Sequence, residues 1–203
     1  MNACRLASTL PEFREARVIK INPDSPQRYC REFALSHGKL VIVPTPRIRE
    51  GFLLLDSSKI PRQYYAEALT IGGSFKWGTP IKPWEMPQIG LVIVGSVAVN
   101  PSNGRRLGKS HGYAEIEWGV VSALGKVNEC TPVITTVHEL QLVNEEIPKE
   151  PFDLPVDIIV TPSRITRVNR IDEKPRGIYW EYVTGEMMRE IPLLSELRGM
   201  NNI

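Results

Sequence analysis

Residues 89–121 read IGLVIVGSVAVNPSNGRRLGKSHGYAEIEWGVV, and the order of signals inside them decides the fold. The run LVIVGSVAV (91–99) is rich in valine and continuously apolar, the pattern of a strand covered on both faces. A loop punctuated by Gly104, Gly108 and Gly112 follows. From there Tyr113, Ile116, Val120, Val121 and Leu124 fall on one stripe at the i, i+3, i+7 spacing of an amphipathic helix, which Gly125 stops. Strand, glycine loop and helix in that order make the first half of a parallel crossover unit. In such sheets ligands collect at the carboxyl ends of the strands.

Working outward, four more short Val- and Ile-rich runs repeat the strand signal: ARVIKIN (16–22), GKLVIVP (38–44), TPVITTVH (131–138) and VDIIVTP (156–162). Helical patterns lie between and after them. PDSPQRYCREFALSHG (23–38) offers Asp24 and Ser25 as N-caps, Pro26 in the first turn and Gly38 as the C-cap. PRQYYAEAL (61–69) is a second helix, and TGEMMREIPLLSELRG (184–199) a third that breaks or restarts at Pro192. Strands alternating with helices predict an α/β fold with a mostly parallel sheet and right-handed crossovers. Residues 71–88, dense in Gly and Pro and without period, read as a long loop over the carboxyl edge of the sheet. Residues 143–155, acidic and Pro-rich, read as a solvated connection.

With 203 residues the chain fits one domain and can bury a full sheet between two helical layers. Apolar residues make up 42% and charged residues 24%, the balance of a globular protein, and a net charge of +2 carries no general nucleic-acid signature. No apolar run is long enough to span a membrane, and the N-terminus lacks the pattern of a secretory signal, so a cytoplasmic protein is expected. Cys4, Cys30 and Cys130 are an odd number without a CxxC pair, which predicts reduced thiols.

The loop itself ends like a P-loop, in Gly108-Lys109-Ser110, but Asn103 stands where that motif has its first glycine. The broader chemistry survives. Glycines let backbone N–H groups turn inward, the new helix adds a partial positive charge, and Arg105, Arg106 and Lys109 add full ones. Phosphate binding is the leading expectation.

GSVAVNPSNGRRLGKSHGYAEIEWGVV, with VDIIVTPSRI and INPDSPQRYCREFAL, resembles the 5-formyltetrahydrofolate cyclo-ligase family, also called methenyltetrahydrofolate synthetase. The likeness runs from about residue 16 to 200 and is most similar to a divergent branch that includes archaeal proteins and a vertebrate domain. The family's R-x-G-x-G-x-G-Y-[YA]-D loop is matched by Arg106, Gly108, Ser110, Gly112, Tyr113, Ala114 and Glu115. The resemblance implies a three-layer α/β/α fold shared with ribose-phosphate isomerases and CoA transferases. It also implies ATP and Mg²⁺ as cofactors and a reduced folate as substrate; a monomer or homodimer that binds neither nucleic acid nor membrane is expected. Arg106 and Lys109 would then be catalytic, with Gly108, Lys109, Ser110, His111, Gly112 and Tyr113 around the nucleotide. Glu115 would hold the metal, with Glu117 as its neighbour, and Trp77 and Trp84 would wall the substrate. His138, Thr161, Pro162, Ser163 and Arg164 are further residues at strand ends that could face the cleft.

Three departures from the family pattern define a second expectation. Ser110 replaces the middle glycine, Glu115 the aspartate, and Arg5, Arg14 and Arg17 do not form the K-x-x-[LI]-R pattern of the usual N-terminal helix, so that helix reads as truncated. The chain is therefore expected to be either an ATP-dependent folate cyclo-ligase or a non-catalytic nucleotide- or folate-binding protein. A sugar-phosphate isomerase would need a proton-abstracting carboxylate that the sequence does not single out.

Overall fold

The computed structural model describes residues 1–109 and 112–200, so Ser110 and His111 lie outside the described residues. Two short helices, α1 (Asn2–Ala7) and α2 (Pro11–Glu15), lead into β1 (Val18–Ile21). The helix α3 (Arg28–Ser36) crosses over to β2 (Leu40–Pro44), and β3 (Phe52–Asp56) returns beside it. Then come α4 (Tyr65–Ala68), α5 (Ile71–Trp77) and the edge strand β4 (Thr79–Ile81). The chain re-enters the sheet at β5 (Leu91–Val94), makes a small hairpin from β6 (Ala98–Val99) and β7 (Arg106–Leu107), and forms α6 (Tyr113–Ala123). The remainder is β8 (Val133–Thr136), β9 (Ile158–Val160), β10 (Ile165–Arg167), α7 (Gly185–Glu190) and α8 (Pro192–Met200).

Among the described residues the main sheet runs in the order β10-β9-β8-β5-β1-β2-β3-β4. The five predicted strands are its parallel centre, and β3, β4 and β10 add antiparallel edges. β1 sits between β5 and β2, with Ile19 in register with both Leu91 and Val41, so the chain winds away from β1 in both directions. That reversal leaves a crevice at the carboxyl ends of β1 and β5, where α/β sheets take their ligands.

Period-two alternation divides the strands between two cores. Ile19, Ile21, Leu91 and Ile93 pack with Cys4, Phe13, Cys30, Ala34 and Leu35 on one face, while Val18, Val92, Val94 and Val133 pack with Trp118, Val120, Leu194 and Leu197 on the other. The three layers expected from the resemblance are present. At roughly 1.5–3 kcal/mol for each large apolar side chain buried, these two faces supply the main favourable term for the fold.

Four expectations are corrected. Residues 71–88 hold α5 and β4 rather than a plain loop, because Thr70 caps α5 by accepting from the Gly73 N–H at 2.9 Å. The run 91–99 is not one strand: it breaks at Gly95 and Ser96, and Ala98 and Val99 pair with Leu107 and Arg106 instead. Asp24 does not cap α3; a short 3₁₀ turn over Ser25–Gln27 precedes that helix, and its expected C-terminal glycine, Gly38, does take a positive φ of 73°. Finally, Cys4 and Cys30 form a disulfide joining α1 to α3, and only Cys130 is a free thiol. Their separation of 26 residues concealed an adjacency that helix packing creates.

The helix α6 is buried on more than its predicted stripe: Glu117, Trp118 and Gly119 are buried as well as Val120 and Val121. Residues 173–183 cover its outer face. Trp118 Nε1 donates to the Pro175 carbonyl at 2.8 Å, and a side chain at Gly119 would stand 2.9 Å from the Gly177 carbonyl.

Candidate functional site

A cavity of about 520 Å³ opens over the carboxyl ends of β1, β2, β5 and β8. Its walls come from Asn22–Gln27 after β1, Thr45–Arg47 after β2, Gly95–Val97 after β5, Thr136 at the end of β8, and the start of α6.

The glycine loop forms one wall because its turn geometry requires it. Asn100 Oδ1 accepts from the Ser102 N–H at 2.9 Å and Asn103 Oδ1 from the Arg105 N–H at 3.0 Å, so two side-chain turns fold residues 100–105 back on themselves. Gly104, at φ 78°, lies so close to the Val156 carbonyl that a Cβ would approach it to 2.4 Å. Gly112, at φ 65°, is the N-cap of α6, a left-handed position that costs other residues about 1–2 kcal/mol. Among the described residues the first bond of α6 runs from the Ile116 N–H to the Gly112 carbonyl at 2.9 Å, and Ala114 and Glu115, in the first turn of that helix, line the cavity.

The charged side chains are arranged differently from expectation. Arg106 is buried: Nε donates to the Leu154 carbonyl at 3.0 Å, Nη1 to the Gly95 carbonyl at 3.2 Å, and Nη2 to the Glu115 carboxylate. It fastens the loop to the end of β5 rather than standing out as a free cation. Lys109 is exposed and donates to Asp24 Oδ1 across the mouth at 2.7 Å. Beneath the cavity floor Lys20 pairs with Glu117 and donates to Asn22 Oδ1 at 3.1 Å. Burial pushes the Glu117 carboxyl above its ordinary value despite Lys20.

A second cavity, of about 480 Å³, adjoins the first and is lined in part by the same loop. The two share Arg106, Gly108, Gly112, Tyr113 and Glu115, and the second adds Leu107, Phe152, Asp153 and Met187. Burial raises the Asp153 carboxyl above its ordinary value, with Glu115 nearby adding to the shift.

Of the expected site residues, Gly108, Lys109, Gly112, Tyr113, Glu115, Glu117 and Arg106 therefore converge on one crevice. Ser110 and His111 lie outside the described residues. Trp77 and Trp84 do not line either cavity: Trp77 stacks on Tyr64 and donates to Glu67 Oε2 at 3.2 Å, and Trp84 packs against the core under Lys82. Both act as loop anchors, because α5 and β4 carry their segment to the far edge of the sheet. His138 is exposed and accepts from the Leu140 N–H at 3.2 Å, while Thr161 and Ser163 close the turn after β9, Ser163 bonding Glu139 at 2.6 Å. Residues 143–155 are more than a solvated connection, since Leu154, Phe152 and Asp153 all reach the loop or its second cavity.

The sequence reading missed Lys20, Gln27, Thr45, Arg47 and Asp153. Lys20 had a signal, a charged residue inside a continuous apolar strand, which demands a buried partner. The Gln27 side chain is also buried, donating to Thr136 Oγ1 at 3.2 Å, and its Oε1 has no partner among the described residues.

Among the described residues no cluster of three or more His, Cys, Asp or Glu side chains could hold a metal ion. Magnesium beside phosphate needs only one or two carboxylates, the rest of its shell being phosphate oxygens and water. Glu115, one oxygen of which takes Arg106, fits that smaller role.

The model of the 5-formyltetrahydrofolate cyclo-ligase family matches residues 2–162. The chain is 38% identical over 204 residues to the methenyltetrahydrofolate synthase domain-containing protein of Bos taurus, covering 97% of this chain and 53% of that protein. It is 36% identical over 201 residues to the protein of that name from Homo sapiens, covering 97% and 52%. The chain thus spans about half the length of the curated relatives it matches. The NMR structure of Aquifex aeolicus 5,10-methenyltetrahydrofolate synthetase shares the fold, with a TM-score of 0.52 at 18% identity over 89% of this chain and 86% of that one. Among the described residues no helix is long and apolar enough to cross a membrane.

Proposed function

Because the chain belongs to the 5-formyltetrahydrofolate cyclo-ligase family, we propose that it uses ATP to close 5-formyltetrahydrofolate to 5,10-methenyltetrahydrofolate, releasing ADP and phosphate. The observation that carries this reading is the glycine loop and the start of α6 opening together into the crevice between β1 and β5. The triphosphate sits against the amides at the start of α6, with Lys109 and Arg47 as cations at the mouth. Arg106 is a positioning residue: its three bonds hold the loop, Gly95 and Glu115 in one geometry.

The reduced folate occupies the second cavity, where Phe152 and Met187 replace the two tryptophans as its apolar wall. The formyl oxygen attacks the terminal phosphorus, forming an O–P bond as the bond to ADP breaks. N10 then attacks the formyl carbon, closing the ring as the C–O bond breaks and phosphate leaves. Asp153, which takes part in no ion pair among the described residues and whose proton affinity is raised by burial, is placed to take the N10 proton. Glu115 would hold Mg²⁺ together with phosphate oxygens and water, and that ion would neutralise charge on the transferring group.

Of the branch named above, the vertebrate side is what the relatives support. A monomer or homodimer in the cytoplasm remains part of the proposal; sedimentation tests the first and cell fractionation the second.

One observation favours the non-catalytic alternative: Arg106, Lys109 and Glu115 are each already satisfied by a partner within the protein. Incubation with 5-formyltetrahydrofolate and MgATP separates the two. Growth of the methenyl absorbance with stoichiometric ADP supports the ligase. Intact nucleotide binding with no product, even at high protein concentration and long incubation, establishes the binding protein instead.

A further inference from the structure

Residues 163–200 lie beyond the segment that the family model matches, yet they reach the site. Glu190, the last residue of α7, accepts the Tyr113 hydroxyl on Oε2 at 2.8 Å and Arg47 Nη1 on Oε1 at 3.1 Å. Arg49 Nη2 lies 3.8 Å from the same Oε1. Arg47 lines the larger cavity, Glu190 the second, and Tyr113 both, so this carboxylate stands where the two meet.

The backbone presenting Arg47 is held in an unfavourable shape. Arg47 and Ile48 have φ of 55° and 57°, a left-handed region that side-chain-bearing residues rarely adopt and a β-branched residue least of all. Ile48 is buried in the core, which anchors the turn and projects Arg47 outward at the cavity mouth. The Arg47 side chain is 56% exposed and that of Glu190 24%. An ion pair this open to water is weak and exchanges readily with another anion. The Tyr113 hydroxyl bond, first, and the two arginines hold the Glu190 carboxyl below the usual carboxylate range, so it is an anion at neutral pH.

We infer that Glu190 is a positioning residue that acts as a built-in counter-ion for Arg47, ordering its guanidinium at the mouth and yielding it to an incoming ligand phosphate. The inference rests on the phosphate site proposed above. It adds a contribution from the C-terminal segment: one carboxylate engages one N–H of a fork that has five, whereas a polyphosphate can take the fork bidentately and with more charge. Empty, the site keeps its cation ordered and neutralised. Loaded, Glu190 retains Tyr113 and gives up Arg47.

The test is calorimetric binding of inorganic tripolyphosphate to the whole chain and to Glu190→Gln, Arg47→Ala and the double variant, with circular dichroism confirming that each is folded. The Glu190→Gln change keeps an acceptor for Tyr113 while removing the charge that competes for Arg47. The expected result is a gain in affinity of about two- to fivefold for E190Q, absent when Arg47 is replaced by alanine. An unchanged or weaker affinity in E190Q, or the same gain with and without Arg47, overturns the inference and leaves the phosphate site standing. Failure of tripolyphosphate to bind any form, wild type included, overturns the phosphate site and the inference together.

Discussion

Lys20, in the middle of β1, and Glu117, on the first turns of α6, form an ion pair buried directly under the cavity floor, their side chains only 1% and 5% exposed. The pair ties the central strand to the helix that follows the glycine loop. Breaking it by Lys20→Met leaves a carboxylate with no cation, at a cost of about 3–5 kcal/mol. Replacing both, as Lys20→Met with Glu117→Leu, removes the desolvation problem and should restore most of that loss. Denaturant unfolding of the three proteins checks this; a double variant as unstable as the single one would contradict the pairing.

Arg106 and Lys109 stand three residues apart and should differ in what they do for stability. Arg106→Ala orphans the Leu154 and Gly95 carbonyls and Glu115, so stability should fall by about 2–4 kcal/mol along with ligand affinity. Lys109→Ala removes an exposed cation whose side chain is 65% accessible, so nucleotide affinity should drop while stability changes by no more than about 0.5 kcal/mol. Thermal unfolding beside nucleotide titration separates the two roles.

The Cys4–Cys30 bond closes a loop of 26 residues and, in the chain-entropy account, stabilises the protein by about 3.5 kcal/mol. Thiol titration of the unreduced, unfolded protein should find one free thiol, Cys130, and reduction should lower the unfolding midpoint. Three free thiols in freshly purified protein would show that the pair is not bonded in solution.

Acid should loosen the C-terminal segment before the sheet. Asp172 is held below its ordinary value first by the Arg105 hydrogen bond, Glu190 by the Tyr113 hydroxyl, and Glu12 by Arg167 of β10. For depressed carboxylates the stabilisation is complete above the unfolded-state value, near pH 4, and is lost as pH falls through the lower folded-state values. Hydrogen exchange between about pH 5 and 3 should therefore show α7 and the turn at Asp172 losing protection while β1 and β5 keep theirs. Simultaneous loss would contradict the assignment.

The central sheet was legible because its strands are buried on both faces, which writes continuous Val and Ile into the sequence. The edge strands were not: β4 is a three-residue strand containing Pro80, and β10 is partly exposed, so neither carries that pattern. Within the site, the glycine loop announced itself through Gly104 and Gly112, whose positive φ only glycine takes freely. Arg47 and Asp153 were invisible for the opposite reason. They reach the crevice from segments distant in sequence, Arg47 through a strained turn and Asp153 from a proline-rich connection, and neither leaves a local motif. Trp77 and Trp84 misled because aromatic residues in an unperiodic stretch look the same whether they wall a ligand or anchor a loop.

The most direct test of the whole account is amide NMR of the ¹⁵N-labelled protein titrated with a non-hydrolysable ATP analogue and Mg²⁺. The crevice between β1 and β5 predicts large saturable shifts at Gly112, Ala114 and Glu115, with smaller ones at Ser96 and Arg47 and none at Trp77 or Trp84. Shifts absent from the start of α6, or centred on another face of the sheet, would contradict it.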